Sequence, residues 1–103
     1  MTAKTKIVLL GMSYVADWKL IMNDQIEIIN KGLHGDLTDN MVRRFNKDVI
    51  AHQPDYLIIW GFINDITTGD KNKINEIFLN IQRNILKMIE MSRQNHIIPI
   101  MAA

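Results

Sequence analysis

Apolar positions fall into two alternating patterns along the chain. Short continuous runs occur at Lys6–Leu10, Tyr56–Trp60 and Ile97–Met101, and Ile26–Ile29 partly alternates apolar with polar. Bounded by Gly11, Pro54 and Gly61, these runs are too short for helices and read as strands. The first and third are buried on both faces, and the alternating second suits an edge. Between the runs, apolar residues recur at helical spacing. Met41, Val42, Phe45 and Val49 predict a helix up to His52, stopped by Pro54. Ile74, Ile77, Phe78, Ile81, Ile85, Met88 and Ile89 predict the longest helix, one apolar face over four turns, with Glu76, Asn80, Arg83, Asn84, Lys87 and Glu90 opposite. A short helical stretch, Val15 to Met22, follows the first strand, and Ser13 can cap it. Thr38 reads as a second N-cap, Asp39 suits the first turn through the helix dipole, and Asp70 or Asn72 opens the longest helix. Lys31 to Leu37 and Gly61 to Gly69 read as loops.

The resulting order is β-α-β-α-β-α-β, which calls for a parallel sheet with helices on both faces and right-handed crossovers. The expected fold is α/β, a flavodoxin-like three-layer α/β/α sandwich over residues 1–103 as one domain. Its strand order is 2-1-3-4, with the switch point between strands 1 and 3. Ligands in such sheets sit beyond the carboxyl ends of the strands at that point. Ser13, the Gly32 loop and Asn64–Asp65 all follow strands onto this rim.

Charge and composition narrow the partners. The chain has 12 basic and 11 acidic residues, net charge +1, so no electrostatic footprint for nucleic acid or a membrane surface is expected. There are no cysteines, which excludes disulfides, thiolate metal sites and a cysteine nucleophile. The N-terminus lacks a signal-peptide core, and no apolar run reaches the roughly 20 residues of a membrane span. A cytoplasmic location is the expectation. No Walker A loop, Gly-x-Gly-x-x-Gly motif or zinc spacing is present, so neither cofactor nor metal is expected. Met22, Met41, Met88, Met91 and Met101 read as core filling, and Trp18 and Trp60 as core or pocket wall.

The rim residues can do acyl-transfer chemistry. A serine on a strand-to-helix turn is held up at the rim, beside backbone N–H groups that can stabilise an oxyanion. An asparagine amide one strand away can donate another hydrogen bond, and Gly32 lets backbone approach without a Cβ. The same residues also serve as a cap and as turn formers.

Asn30-Lys31-Gly32, Gly35-Asp36, Arg44-Phe45, Asp48-Val49, Pro54-Asp55 and Gly61-Phe62-Ile63-Asn64-Asp65-Ile66 together resemble the SGNH hydrolase superfamily, the GDSL-type esterases and lipases. Gly11-Met12-Ser13, followed by Trp18, resembles the family's Gly-Asp-Ser signature, and Ile98-Pro99-Ile100 its fourth strand. The resemblance implies Ser13 as nucleophile, with the Ser13 N–H, the Gly32 N–H and the Asn64 side chain as oxyanion hole. It implies small acyl esters as substrates, with neither metal nor cofactor.

Two departures stand out. Met12 replaces the family's aspartate, and the family's Asp-x-x-His, the source of the catalytic base, is absent from these residues. The chain looks like the N-terminal half of such a hydrolase, truncated after strand 4 and impaired or inactive alone, since a serine without a base is a poor nucleophile. His34 is the substitute base nearest the rim; His52 and His96 fall at the opposite end of the sheet. Strand 4 would be an exposed edge that invites pairing, with a homodimer or a chain supplying the missing half as the expected cover. The alternatives are a non-catalytic binding or scaffold module and, more remotely, a receiver-like phosphoacceptor using Asp65.

Overall fold

The computed structural model describes residues 4–12, 16 and 24–102. The strands are β1 (Thr5–Gly11), β2 (Ile26–Gly32), β3 (Tyr56–Trp60) and β4 (Ile98–Ala102). They form one parallel sheet in the order β2-β1-β3-β4. The helices are α1 (Thr38–Arg43), α2 (Phe45–Asp48), α3 (Ile63–Thr67) and α4 (Ile74–Gln94), with 3-10 turns at Ile50–His52 and Lys71–Lys73. Of the expected first helix only Ala16 is described, and it is helical; Ser13 and Trp18 lie outside the described residues.

Alternation along each strand divides the sheet into two faces. Val8, Leu10, Leu57 and Ile59 point to one face and are buried there with Met41, Phe45, Val49 and Met88. Both later crossovers, α1–α2 and α4, therefore lie on that face. Phe45 is fully buried at its centre, where truncation to alanine would cost about 3–5 kcal/mol. Leu9 is buried on the opposite face.

Several local readings shift. β2 runs through Asn30 and Lys31 to Gly32 rather than ending at Ile29, because Gly32 registers with Gly11 and Leu33 N–H donates to Gly11 O at 3.0 Å. The Met41–His52 pattern is not one helix. It turns at Arg44 (φ −93°, ψ 4°), then passes through α2 into the 3-10 turn, which ends at Gln53 in the left-handed region (φ 49°). Thr38 is the first helical residue and Leu37 the N-cap; Leu37 has no side-chain oxygen to offer. The expected loop from Gly61 contains α3. Asp70 caps the 3-10 turn Lys71–Lys73, accepting from Asn72 N–H at 2.9 Å, whereas α4 itself opens after Lys73 with no side-chain cap. Asn84, expected on the polar side of α4, is buried, and Phe78, expected in the stripe, is half exposed. Met101 is likewise exposed rather than core.

β3 is registered against β1 by a clip at its entry. Asp55 N–H donates to Lys6 O at 2.8 Å, and Asp55 Oδ2 accepts from Lys6 N–H at 2.9 Å. At the exit, Gly61 adopts φ +109°. A Cβ there would lie 2.8 Å from Met12 Cγ. Met12 is buried in the core cluster, so an apolar side chain occupies the position where the resemblance expects an aspartate, and glycine gives it room.

Candidate active site

Three strand ends meet at the rim. Gly11 is in register with Gly32 on one side and with Trp60 on the other. The segments leaving these positions lead to Ser13, His34–Asp36 and Asn64.

One guanidinium ties two of these ends to the helices. Arg44 Nη1 donates to Lys31 O at 2.7 Å and to Asp48 Oδ2 at 2.9 Å. Its Nη2 donates to Gly11 O at 3.2 Å and to Asp36 Oδ2 at 2.6 Å, and Nε reaches the same Asp36 oxygen at 3.0 Å. The Arg44 side chain is 13% exposed and that of Asp36 4%. The carboxyl ends of β1 and β2 and the loop after β2 are thus held by one part-buried cation with two carboxylates. A planar fork of five donors can do this; an ammonium cannot. The sequence alone assigns Arg44 no role. Its i,i+4 spacing to Asp48 was the available signal, but the contacts to Gly11 and Lys31 exist only in the fold.

A second network sets the loop after β3. Asn64 lies in the first turn of α3, and its Nδ2 donates to Asp36 O at 3.1 Å. The expected oxyanion carboxamide is therefore brought to the loop after β2. Asp65 accepts from Thr38 N–H at 3.0 Å and from the Thr38 hydroxyl at 2.6 Å. It provides, from another element, the cap that Leu37 cannot. Asn84 Nδ2 donates to Thr38 Oγ1 at 2.9 Å and to Asp39 Oδ1 at 2.7 Å, and Asn80 Nδ2 reaches the same Asp39 oxygen at 3.1 Å. The Asn84 bond, then the Asn80 bond and the Arg43 charge, hold the Asp39 carboxyl below its ordinary range against the cost of burial. Beside this network an open cavity of about 360 Å³ is lined by Leu37, Asp39, Asp65, Gly69, Lys73 and Glu76, among others.

The Gly32 N–H donates to Asn30 Oδ1 at 2.9 Å. The next loop glycine, Gly35, has φ +72°, and a Cβ there would meet nothing within 4 Å. His34 is exposed in the same loop. His52 O accepts from Lys6 Nζ at 3.0 Å at the other end of the sheet, where His96 also lies, between α4 and the start of β4. Among the described residues no three His, Asp or Glu side chains gather as a metal site.

A parallel 2-1-3-4 sheet flanked by helices, with these rim loops, is the GDSL/SGNH variant of the flavodoxin-like fold, and the chain's structural neighbours across several organisms are GDSL/SGNH-type esterases and lipases. One, described as a lipolytic protein of the G-D-S-L family from Desulfitobacterium hafniense DCB-2, is 30% identical with a TM-score of 0.77, over 95% of this chain and 58% of that one. Another, described as an acylhydrolase from Bacteroides fragilis NCTC 9343, is 25% identical with a TM-score of 0.73, over 94% of this chain and 47% of that one. An acetyl xylan esterase from Geobacillus stearothermophilus shares the fold at 18% identity and a TM-score of 0.70, over 92% and 58% of the two chains. The uncharacterized lipoprotein YqeF of Bacillus subtilis (strain 168) is 33% identical over 78 residues, 74% of this chain and 31% of the relative. No protein-family model matches. The chain thus spans about half the length of the first two solved relatives and under a third of the lipoprotein.

The lipoprotein relative corrects the expectation of a cytoplasmic location: its name points to membrane or secretory association. Lack of an apolar span does not argue for the cytoplasm, because a lipid anchor needs no such span. Among the described residues no helix is long and apolar enough to cross a membrane.

Proposed function

We propose that this chain carries the nucleophile and oxyanion-hole part of a serine ester hydrolase of the SGNH type, acting on small acyl esters. One observation carries the reading most: Gly11, Gly32 and Trp60 stand in register, and the Asn64 amide reaches from beyond β3 to the loop beyond β2. The names of the solved relatives, lipolytic protein, acylhydrolase and acetyl xylan esterase, support an ester as substrate.

In this proposal Ser13 Oγ attacks the acyl carbonyl as a base takes its proton. The tetrahedral oxyanion is stabilised by the Ser13 N–H, the Asn64 Nδ2–H and the Gly32 N–H. The alcohol leaves, and water then hydrolyses the acyl-enzyme. Gly32 must first exchange its bond to Asn30 Oδ1 for the substrate oxygen. The Gly35 N–H, for which no acceptor stands among the described residues, is a further loop donor. The 103 residues contain no Asp-x-x-His, and exposed His34 is the substitute base within them. The acid–base pair is therefore assigned to residues beyond this sequence or to a second polypeptide.

The expected behaviour of the 103-residue protein is weak or no hydrolysis of 4-nitrophenyl acetate, since oxyanion groups alone leave only residual rate over water. Robust turnover abolished by Ser13→Ala would assign the base to His34, and His34→Ala would then have to abolish it too. Turnover insensitive to Ser13→Ala would sink the reading. A second reading, a binding or scaffold module that keeps the fold, is favoured by Met12, apolar and buried where the resemblance expects an aspartate. Ser13-specific labelling by a fluorophosphonate argues against it.

A further inference from the structure

Asn64 and Asp65, consecutive residues in α3, both reach back to the segment between β2 and α1. Asn64 Nδ2 donates to Asp36 O at 3.1 Å. Asp65 accepts from the Thr38 N–H at 3.0 Å and from the Thr38 hydroxyl at 2.6 Å. Asp36 and Thr38 are both buried, and the two grips hold Leu37 between them.

A carboxamide is planar, and its two ends are told apart by what each can do. Asp36 O can only accept, so the nitrogen end of Asn64 must face it. One Nδ2 hydrogen is thereby taken. The second diverges from it in the same plane and, among the described residues, meets no acceptor. Where the Asp36 carbonyl stands therefore sets the direction of that second hydrogen.

The loop itself holds this carbonyl weakly. Gly35 before it has φ +72°, and the internal bond from Asp36 N–H to Leu33 O is long at 3.4 Å. The firm hold is on the Asp36 carboxylate. Arg44 Nη2 and Nε grip its Oδ2 at 2.6 and 3.0 Å. The same guanidinium reaches Gly11 O at the end of β1 and Lys31 O in β2. It thus fixes Asp36 relative to the two strand ends, one leading to Ser13 and the other carrying Gly32.

We propose that Arg44 and Asp36 are positioning residues for the Asn64 carboxamide. Arg44 places the Asp36 carbonyl, the carbonyl occupies one Nδ2 hydrogen, and the other is left aimed at the oxyanion. Both residues act through Asn64 rather than on the substrate. The oxyanion part rests on the hydrolase reading; the orientation of the amide does not.

The test is NMR spectroscopy of the isotope-labelled 103-residue protein. The wild type should show a coupling across the hydrogen bond from Asn64 Nδ2 to the Asp36 carbonyl carbon, and two well-separated Asn64 Nδ2 proton shifts. Absence of that coupling in the wild type overturns the proposal, whatever the variants do. Arg44→Lys and Asp36→Ala should each lose the coupling and bring the two shifts together. Asp36→Asn keeps an oxygen for the guanidinium and should retain both signals. Met88→Ala, a core change on α4 away from the rim, should leave them unmoved, which separates the aim of the amide from general stability. A folded Arg44→Lys that keeps the coupling, or a Met88→Ala that loses it equally, overturns the proposal. Titration with methylphosphonate, a tetrahedral anion, then reads the second hydrogen. Its proton should shift in the wild type, with the affinity weakened at least tenfold in Arg44→Lys. A coupling that is intact in the wild type and lost in Arg44→Lys, beside a second proton unmoved by the anion, supports the positioning and removes the oxyanion role on which the hydrolase reading depends.

Discussion

Replacing Arg44 with methionine should be among the most destabilising single changes in this protein. Methionine keeps the stem's packing and removes every donor. Asp36, whose side chain is 4% exposed, is then left without its cation, and Asp48 loses its partner on α2. The carbonyls of Lys31 and Gly11 also lose a donor. Breaking a buried pair from one side costs about 3–5 kcal/mol, because the remaining charge is uncompensated. For a domain of this size, that corresponds to a fall in Tm on the order of 15–30 °C. Urea unfolding followed by circular dichroism, at one fixed protein concentration, measures it as a drop in midpoint with little change in slope. Arg44→Lys keeps the charge but cannot reach all four partners, so its loss should fall between wild type and Arg44→Met. Asp36→Asn added to Arg44→Met removes the stranded charge and should recover part of the loss. If Arg44→Met costs less than about 1 kcal/mol, the pair behaves like an exposed one, and the claim that this guanidinium clamps the rim is wrong.

Three further outcomes follow from the same contacts. Asp65→Ala leaves the buried Thr38 N–H and hydroxyl without their acceptor, so urea unfolding should register a loss of about 1–3 kcal/mol; an unchanged midpoint would mean water replaces the carboxylate without cost. Gly61→Ala combines a φ of +109° with a Cβ 2.8 Å from Met12 Cγ and should cost about 1–3 kcal/mol. Adding Met12→Ala in that background relieves the clash but not the backbone, so the two changes should couple in a double-mutant cycle, and strict additivity would refute the contact. The Asp39 carboxyl is held below its ordinary value, first by Asn84. Its charged form thus favours the folded state above the unfolded value, and that contribution fades as pH falls through the lowered folded one. Asp39→Asn should flatten the acid side of a midpoint-against-pH curve, and parallel curves for the two proteins would contradict this.

What the sequence could reveal divides along the range of the interactions involved. Apolar runs at β1 and β3 read as central strands because burial on both faces leaves no polar alternation. β2 read as an edge because its alternation survived, and the order 2-1-3-4 followed from those two facts. Periodicity failed where a polar residue was buried for a distant partner. Asn84 looked like one more solvent-side amide on α4, yet Thr38 and Asp39 lie more than 40 positions away in the chain. Thr38 looked like a cap because local chemistry allows it, but Asp65 supplies the acceptor and moves the helix start by one residue. Lys31 and Gly32 read as the start of a loop rich in glycine, whereas pairing with β1 carries the strand through them. At the candidate site, the sequence singled out Asn64 from its motif, and the fold brings its amide to the loop after β2. Ser13 lies outside the described residues. Arg44 stands among the residues of the resemblance, but nothing in the motif gives it a role. Its four acceptor residues belong to four separate segments, and no window along the chain contains more than a fraction of them. Side chains that organise a site from behind are the ones a linear reading is least able to find. Here that side chain also binds Gly11 O, two residues before the proposed nucleophile Ser13, so Arg44→Lys offers a way to perturb the rim without touching any group proposed to contact substrate.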